Sequence, residues 1–139
     1  MVTMDVTFFR AKDGAPYAHL GADWPGFNEA LTDAVGSLPP RGSAERSVST
    51  YWIDRALAET ERMSAAGLTG SFQGGNTTSL ALEGGQVRAC SDYELFDDEA
   101  MPIEVFTEVL LAWRAEVLRV REVERPEIPE TYRRNPYPT

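Results

Sequence analysis

The sequence predicts an α+β fold, an antiparallel sheet of about four or five strands packed on one side by about three helices, the last of them long. Three observations carry this. Residues 2–10 alternate apolar and polar side chains. Two further alternating segments flank Gly84-Gly85. Ile103, Phe106, Leu110, Trp113, Val117 and Val120 recur at steps of three and four, the stripe of a long one-faced helix.

In residues 2–10, Val2, Met4, Val6 and Phe8 share one side and Thr3, Asp5 and Thr7 the other, a strand with one buried face. Asp13-Gly14 signals a turn, and Tyr17 to Leu20 forms a short return strand. Asp23 or its neighbour can cap a first helix, Pro25 sits in its first turn, and Phe27, Leu31, Val35 and Leu38 are its apolar side. Gly36 and Pro39-Pro40 end it. A second helix is expected from about Val48 to Ala66, apolar at Trp52, Ile53, Leu57 and Met63, with Gly67 closing it.

Gly70 to Gln73 adds a strand before the Gly74-Gly75-Asn76 turn. Across a two-residue Gly84-Gly85 loop, Leu82 faces Val87 and Leu80 faces Ala89, while Ala81 pairs with Arg88 and Ser79 with Cys90. One face of this hairpin is apolar and the other mostly polar, so the sheet is covered on one side. Pro102 suits the first turn of the long helix, with Asp98, Glu99 and Glu104 at its N-terminal end and Arg119, Arg121 and Arg125 toward its C-terminal end, as the helix dipole favours.

A chain of 139 residues with 42% hydrophobic content is long enough to build one core without disulfides or a metal. We assign residues 1–125 to a single α+β domain and 126–139 to a proline-rich tail that either packs along the domain or stays mobile. Cys90 is the only cysteine, which leaves no internal disulfide and no cysteine-built zinc site. The first residues, MVTMDVTFFRAKDG, lack a basic segment followed by a long apolar core, and no run approaches a membrane span. The expected compartment is the cytoplasm.

The charge is 13 basic residues against 22 acidic, net −9. That opposes direct binding of nucleic acid or an anionic membrane, and suits a basic protein partner. His19 is the sole histidine, so paired-histidine metal sites and Ser-His or Cys-His catalysis have little to use. The acids around 92–99 do not follow a calcium-loop spacing. The glycine-rich 74–78 stretch enters a strand and lacks the lysine of a phosphate loop. Trp24, Trp52 and Trp113 could wall a carbohydrate cleft, but each lies on or beside an apolar helix face, where core packing accounts for it. Neither a cofactor nor a metal is expected.

What remains is SDYELFDDEAMPIEVF, Ser91 to Phe106, with six carboxylates and no basic residue. Asp92 and Glu94 share a side if the strand continues that far. Asp97, Asp98 and Glu99 precede the helix, and Tyr93 and Phe96 are interleaved with the acids. Two readings stand: a docking surface on which acids steer and rings bury, or a solvated edge loop with a helix cap.

From Gly75 to about Val120 the chain runs from a Gly75-Asn76 turn into Thr78-Ser79-Leu80-Ala81-Leu82. The Gly-Gly hairpin follows, then a strand ending in Asp92-Tyr93-Glu94, and finally Met101-Pro102-Ile103-Glu104-Val105-Phe106 and Leu110-Leu111-x-Trp113 on the long helix. This third of the chain resembles small cytosolic immunity proteins of bacterial polymorphic-toxin and contact-dependent inhibition systems. The resemblance implies a non-catalytic protein that binds and neutralises a cognate toxin domain, in many cases a nuclease with a basic cleft. On that reading Asp92, Tyr93, Glu94, Phe96, Asp97, Asp98 and Glu99 are the expected contacts, with Glu104 behind them. The rival expectations are a chaperone or adaptor for a secreted bacterial protein and a small ligand-binding or enzymatic domain. Oligomeric state is left open.

Overall fold

The computed structural model describes residues 4–129. Val2, Thr3 and the tail from residue 130 onward lie outside that range. The fold is α+β. Strands β1 (Thr7–Arg10) and β2 (Pro16–His19) form one antiparallel hairpin. Strands β3 (Gly70–Gly74), β4 (Thr78–Glu83), β5 (Gln86–Ser91) and β6 (Glu99–Pro102) form a four-stranded antiparallel sheet in that order. The helices are α1 (Pro25–Ala30), α2 (Tyr51–Ala65) and α3 (Ile103–Val123).

The Gly84-Gly85 hairpin has the predicted register: Leu82 opposite Val87, Leu80 opposite Ala89, Ala81 opposite Arg88, Ser79 opposite Cys90. Both turn glycines have positive φ, 56° and 79°, as a type I′ loop demands. Leu80, Leu82, Val87, Ala89 and Met101 are buried on the inner face, while Ser79, Ala81, Arg88 and Cys90 on the outer face are only half-buried. The α3 stripe packs into the same core: Phe106, Leu110, Trp113, Val117 and Val120 are fully buried and Ile103 partly so. Trp113 also donates its indole N–H to the Pro16 carbonyl at 2.9 Å, tying α3 to the β1–β2 hairpin. Beyond α3, Ile128 is fully buried and its N–H donates to the Arg46 carbonyl at 2.7 Å, so the core continues into residues 126–129.

The first strand is shorter than expected, with Met4, Asp5 and Val6 ahead of it and not paired in the hairpin. Four further local features differ from expectation. The first helix is broken: α1 widens into a π turn, Leu31–Val35, closed by the Gly36 N–H on the Leu31 carbonyl at 2.9 Å. Gly36, at φ 73°, then ends it, leaving Leu38 in the following loop. Second, α2 starts at Tyr51; Val48 is buried ahead of it, and Ser49 accepts the Tyr51 N–H. Its far end is as expected: Leu68 N–H bonds Met63 O and Gly67 N–H bonds Ser64 O, the double closure that a left-handed glycine at the C′ position permits.

Third, a β-bulge between Ser71 and Gln73 turns Phe72 and Gln73 inward together. The buried Gln73 amide donates to Ala34 O and Trp52 O, each at 3.0 Å, and accepts from Arg55. It thereby joins β3 to the π turn and to α2. Fourth, Glu99–Pro102 is an edge strand paired to β5, which makes Pro102 the residue flanking α3. Asp98 and Glu99 are therefore not at the N-terminus of α3; only Glu104 is in its first turn.

Candidate functional site: an acidic loop held on a helix end

Strand β5 stops at Ser91, and the chain turns before β6 begins at Glu99. The Ser91 hydroxyl accepts the N–H groups of Tyr93 (3.3 Å) and Leu95 (2.8 Å), a side chain standing in for the missing ladder. Asp92 N–H donates to Thr77 O at 2.8 Å. Glu94 takes a left-handed backbone, φ 56°, so Asp92 and Glu94 do not lie on a continuing strand.

The far end of the loop is fixed to α1. Glu99 accepts the N–H of Gly26 at 2.7 Å and of Phe27 at 2.9 Å, capping a helix whose own flanking residue, Trp24, makes no side-chain cap. Asp23 does not take that role. The Phe96 ring lies against Gly26: a Cβ there would come within 2.7 Å of the ring and 2.9 Å of the Glu99 carboxyl carbon. Gly26 is what lets the loop lie on the helix. The Cys90 thiol approaches Asp98 at 3.7 Å. Burial first, then the Asp98 charge, pushes that thiol up, the opposite of what a cysteine nucleophile needs.

The predicted contact residues thus divide. Asp92, Tyr93, Glu94, Asp97 and Asp98 are exposed on one short loop, and none of these four carboxylates has an ion-pair partner among the described residues. Phe96 and Glu99 are in the same segment but turn toward α1. Glu104 is separate: the length of β6, roughly 10–13 Å at a strand's rise, lies between it and the loop. Leu95, 72% exposed beside Tyr93 at 66%, is the apolar residue that sequence reasoning passed over. Only the turn geometry, not any periodicity, shows that Leu95 and not Phe96 faces out.

Behind Leu95 and Phe96 lies a cleft of about 470 Å³, lined also by His19, Glu29 and Thr77. His19 Nδ1 accepts the Gly21 N–H at 3.1 Å, which puts the proton of the neutral ring on Nε2. Asn28, on the same wall, is spent on Leu20 N and Gly21 O. Glu29 is exposed and has no ion-pair partner among the described residues.

Asp33 of the π turn gathers the 76–78 loop, whose Thr77 and Thr78 line the cleft. It accepts the N–H groups of Asn76, Thr77 and Thr78 and the Thr78 hydroxyl, at 2.7–3.0 Å. Burial pushes this carboxyl up, but those hydrogen bonds outweigh it and hold it below the usual carboxylate range. Gly75 has no room for a side chain, since a Cβ would sit 2.3 Å from the Asp33 carboxylate. The glycine-rich stretch therefore wraps a carboxylate of the protein itself.

Among the described residues no group of three or more His, Cys, Asp or Glu is arranged to hold a metal ion, and no helix is long and apolar enough to cross a membrane. Compared with family models, curated proteins and solved structures, the chain matches none.

Proposed function

We propose that this chain is a non-catalytic binding protein of the immunity type, which neutralises a cognate, basic, nuclease-type toxin domain in the cytoplasm through the 92–98 loop. The observation that carries the reading is one loop fastened at both ends that presents Tyr93 and Leu95 to solvent among four carboxylates without cation partners among the described residues. Exposed apolar anchors supply buried area at an interface, and unpaired acids steer a basic partner into place. Fastening matters because a loop already in shape loses little entropy on binding. The net charge of −9 acts in the same direction at long range.

A tagged protein recovered from lysate of its native host at low and at high salt tests this. A single stoichiometric basic partner, retained at high salt, is expected. With that partner in hand, Asp97→Lys with Asp98→Lys should slow association by about tenfold at low salt and leave the melting temperature unchanged. Unchanged association kinetics would remove the loop from the interface.

A second reading, a small-ligand domain, rests on the cleft beside His19 and Glu29. A ligand-dependent rise in melting temperature that Glu29→Ala abolishes would favour it over the first.

A further inference from the structure

Helices α2 and α3 run antiparallel. Near one end, Arg114 donates to Asp54 at 2.7 Å; at the other, Ala65 and Ile103 line a shared groove. That groove encloses about 760 Å³ between walls formed by Leu57, Ala65, Ile103 and Leu111, and Leu111 is 51% exposed. Glu61 and Glu104 also line it; no lysine or arginine does. Neither glutamate has an ion-pair partner among the described residues, whereas Glu59 on the same helix is paired with Arg62. Glu108, one turn beyond Glu104, is exposed, and Leu118, two turns beyond Leu111, continues the apolar stripe at 38% exposure.

We infer that this groove is a docking site for a basic amphipathic helix of a partner protein. The shape favours a helix, because two antiparallel helices leave a trough that a third helix fills by the same ridge-and-groove packing. Its α2 wall, Leu57 to Ala65, is about 12 Å long, or a little over two turns. It accepts apolar anchors at helical spacing. The charge favours a basic occupant, since Lys or Arg flanking those anchors meets Glu61 and Glu104. A second copy docking groove to groove would instead bring the Glu61 and Glu104 carboxylates of both copies into one trough. The groove and the 92–98 loop lie at opposite ends of β6, so the inference does not rest on the loop reading.

The test uses a labelled helical peptide of about 14 residues with leucines on one face and lysines flanking them, titrated with the full chain and followed by fluorescence anisotropy. A peptide with glutamates replacing the lysines is the control. Leu111→Lys places a charge at an exposed helix position and should leave folding intact, checked by circular dichroism. It should weaken binding at least about tenfold. Glu61→Lys with Glu104→Lys should do the same and flatten the salt dependence. Asp97→Lys with Asp98→Lys should change affinity less than about threefold. Equal weakening by the loop variant, or no effect of Leu111→Lys, would overturn the assignment. So would a concentration-dependent dimer that Leu111→Lys dissociates, which would make a second copy the occupant.

Discussion

Replacing Glu99 with alanine separates a scaffolding acid from the exposed acids beside it. Its carboxylate receives the N–H groups of Gly26 and Phe27, at 2.7 and 2.9 Å, and both of those residues are buried. Water does not readily replace the lost acceptor at such donors. Hydrogen bonds to a charged group are worth about 1.5–3 kcal/mol each, and loss of a helix cap about 0.5–2 kcal/mol in total. Because the two bonds share one carboxylate, about 2–4 kcal/mol is the expected loss for Glu99→Ala. Glu99→Gln keeps one acceptor oxygen but turns its amide donors toward an N–H, and should lose about 1–2 kcal/mol. In a chain of this size that corresponds to a fall in melting temperature of about 6–15 °C for alanine and roughly half that for glutamine. Thermal and urea unfolding followed by circular dichroism measure both, with Asp97→Ala and Asp98→Ala as references expected to stay within about 0.5 kcal/mol. If Glu99→Ala melts within about 1–2 °C of the parent, the capping argument fails and Glu99 joins the other acids of the proposed docking loop.

Two further outcomes follow from buried polar groups. Asp33 titrates below its ordinary value of 3.8 in the folded chain, so its contribution is complete above the unfolded value and is lost as pH falls through the folded one. Acid unfolding below about pH 4 should therefore be blunted in Asp33→Asn, which is already less stable at pH 7 by about 1–3 kcal/mol. A parallel pH–stability curve for variant and parent would refute this. Gln73→Leu leaves the Ala34 and Trp52 carbonyls without their amide donor and should lose about 2–3 kcal/mol in urea unfolding, despite adding apolar volume. A neutral result would mean that the two carbonyls find other donors.

The elements legible in the sequence are those whose side-chain period and turn chemistry agree. The β4–β5 register could be read because Gly84-Gly85 fixes a two-residue loop, and one residue of slip would turn Leu80, Leu82, Val87 and Ala89 to the wrong face. The α3 stripe was equally plain, since six apolar residues at steps of three and four allow no other period. The π turn was not legible, because Phe27, Leu31 and Val35 fit a regular helix equally well. What widens the turn is tertiary: Gln73 reaches the Ala34 carbonyl from another strand, and Asp33 is drawn onto the 76–78 loop. Strand β6 was hidden for a different reason. Glu99-Ala100-Met101-Pro102 has neither β-branched residues nor a flanking turn signature, and is a strand only because β5 offers it an edge.

The same distinction governs the acids. Sequence places six carboxylates in one run, and proximity along the chain suggests a common purpose. Their partners in space divide them into three groups. Glu99 is consumed by a helix end, as the solvated-loop-with-cap reading required of some acid, although the helix it caps is α1 and not the α3 that follows it in sequence. Glu104 belongs to the trough between α2 and α3. Asp92, Glu94, Asp97 and Asp98 remain exposed on a loop that Glu99 and Phe96 hold against Gly26. A helix cap and a set of exposed acids thus coexist in one run, so the cap does not by itself exclude the proposed docking surface. On the proposed function, Glu99 gives the exposed acids a fixed geometry through its bonds to Gly26 and Phe27, so loosening that cap should reduce partner affinity even though the cap itself faces inward.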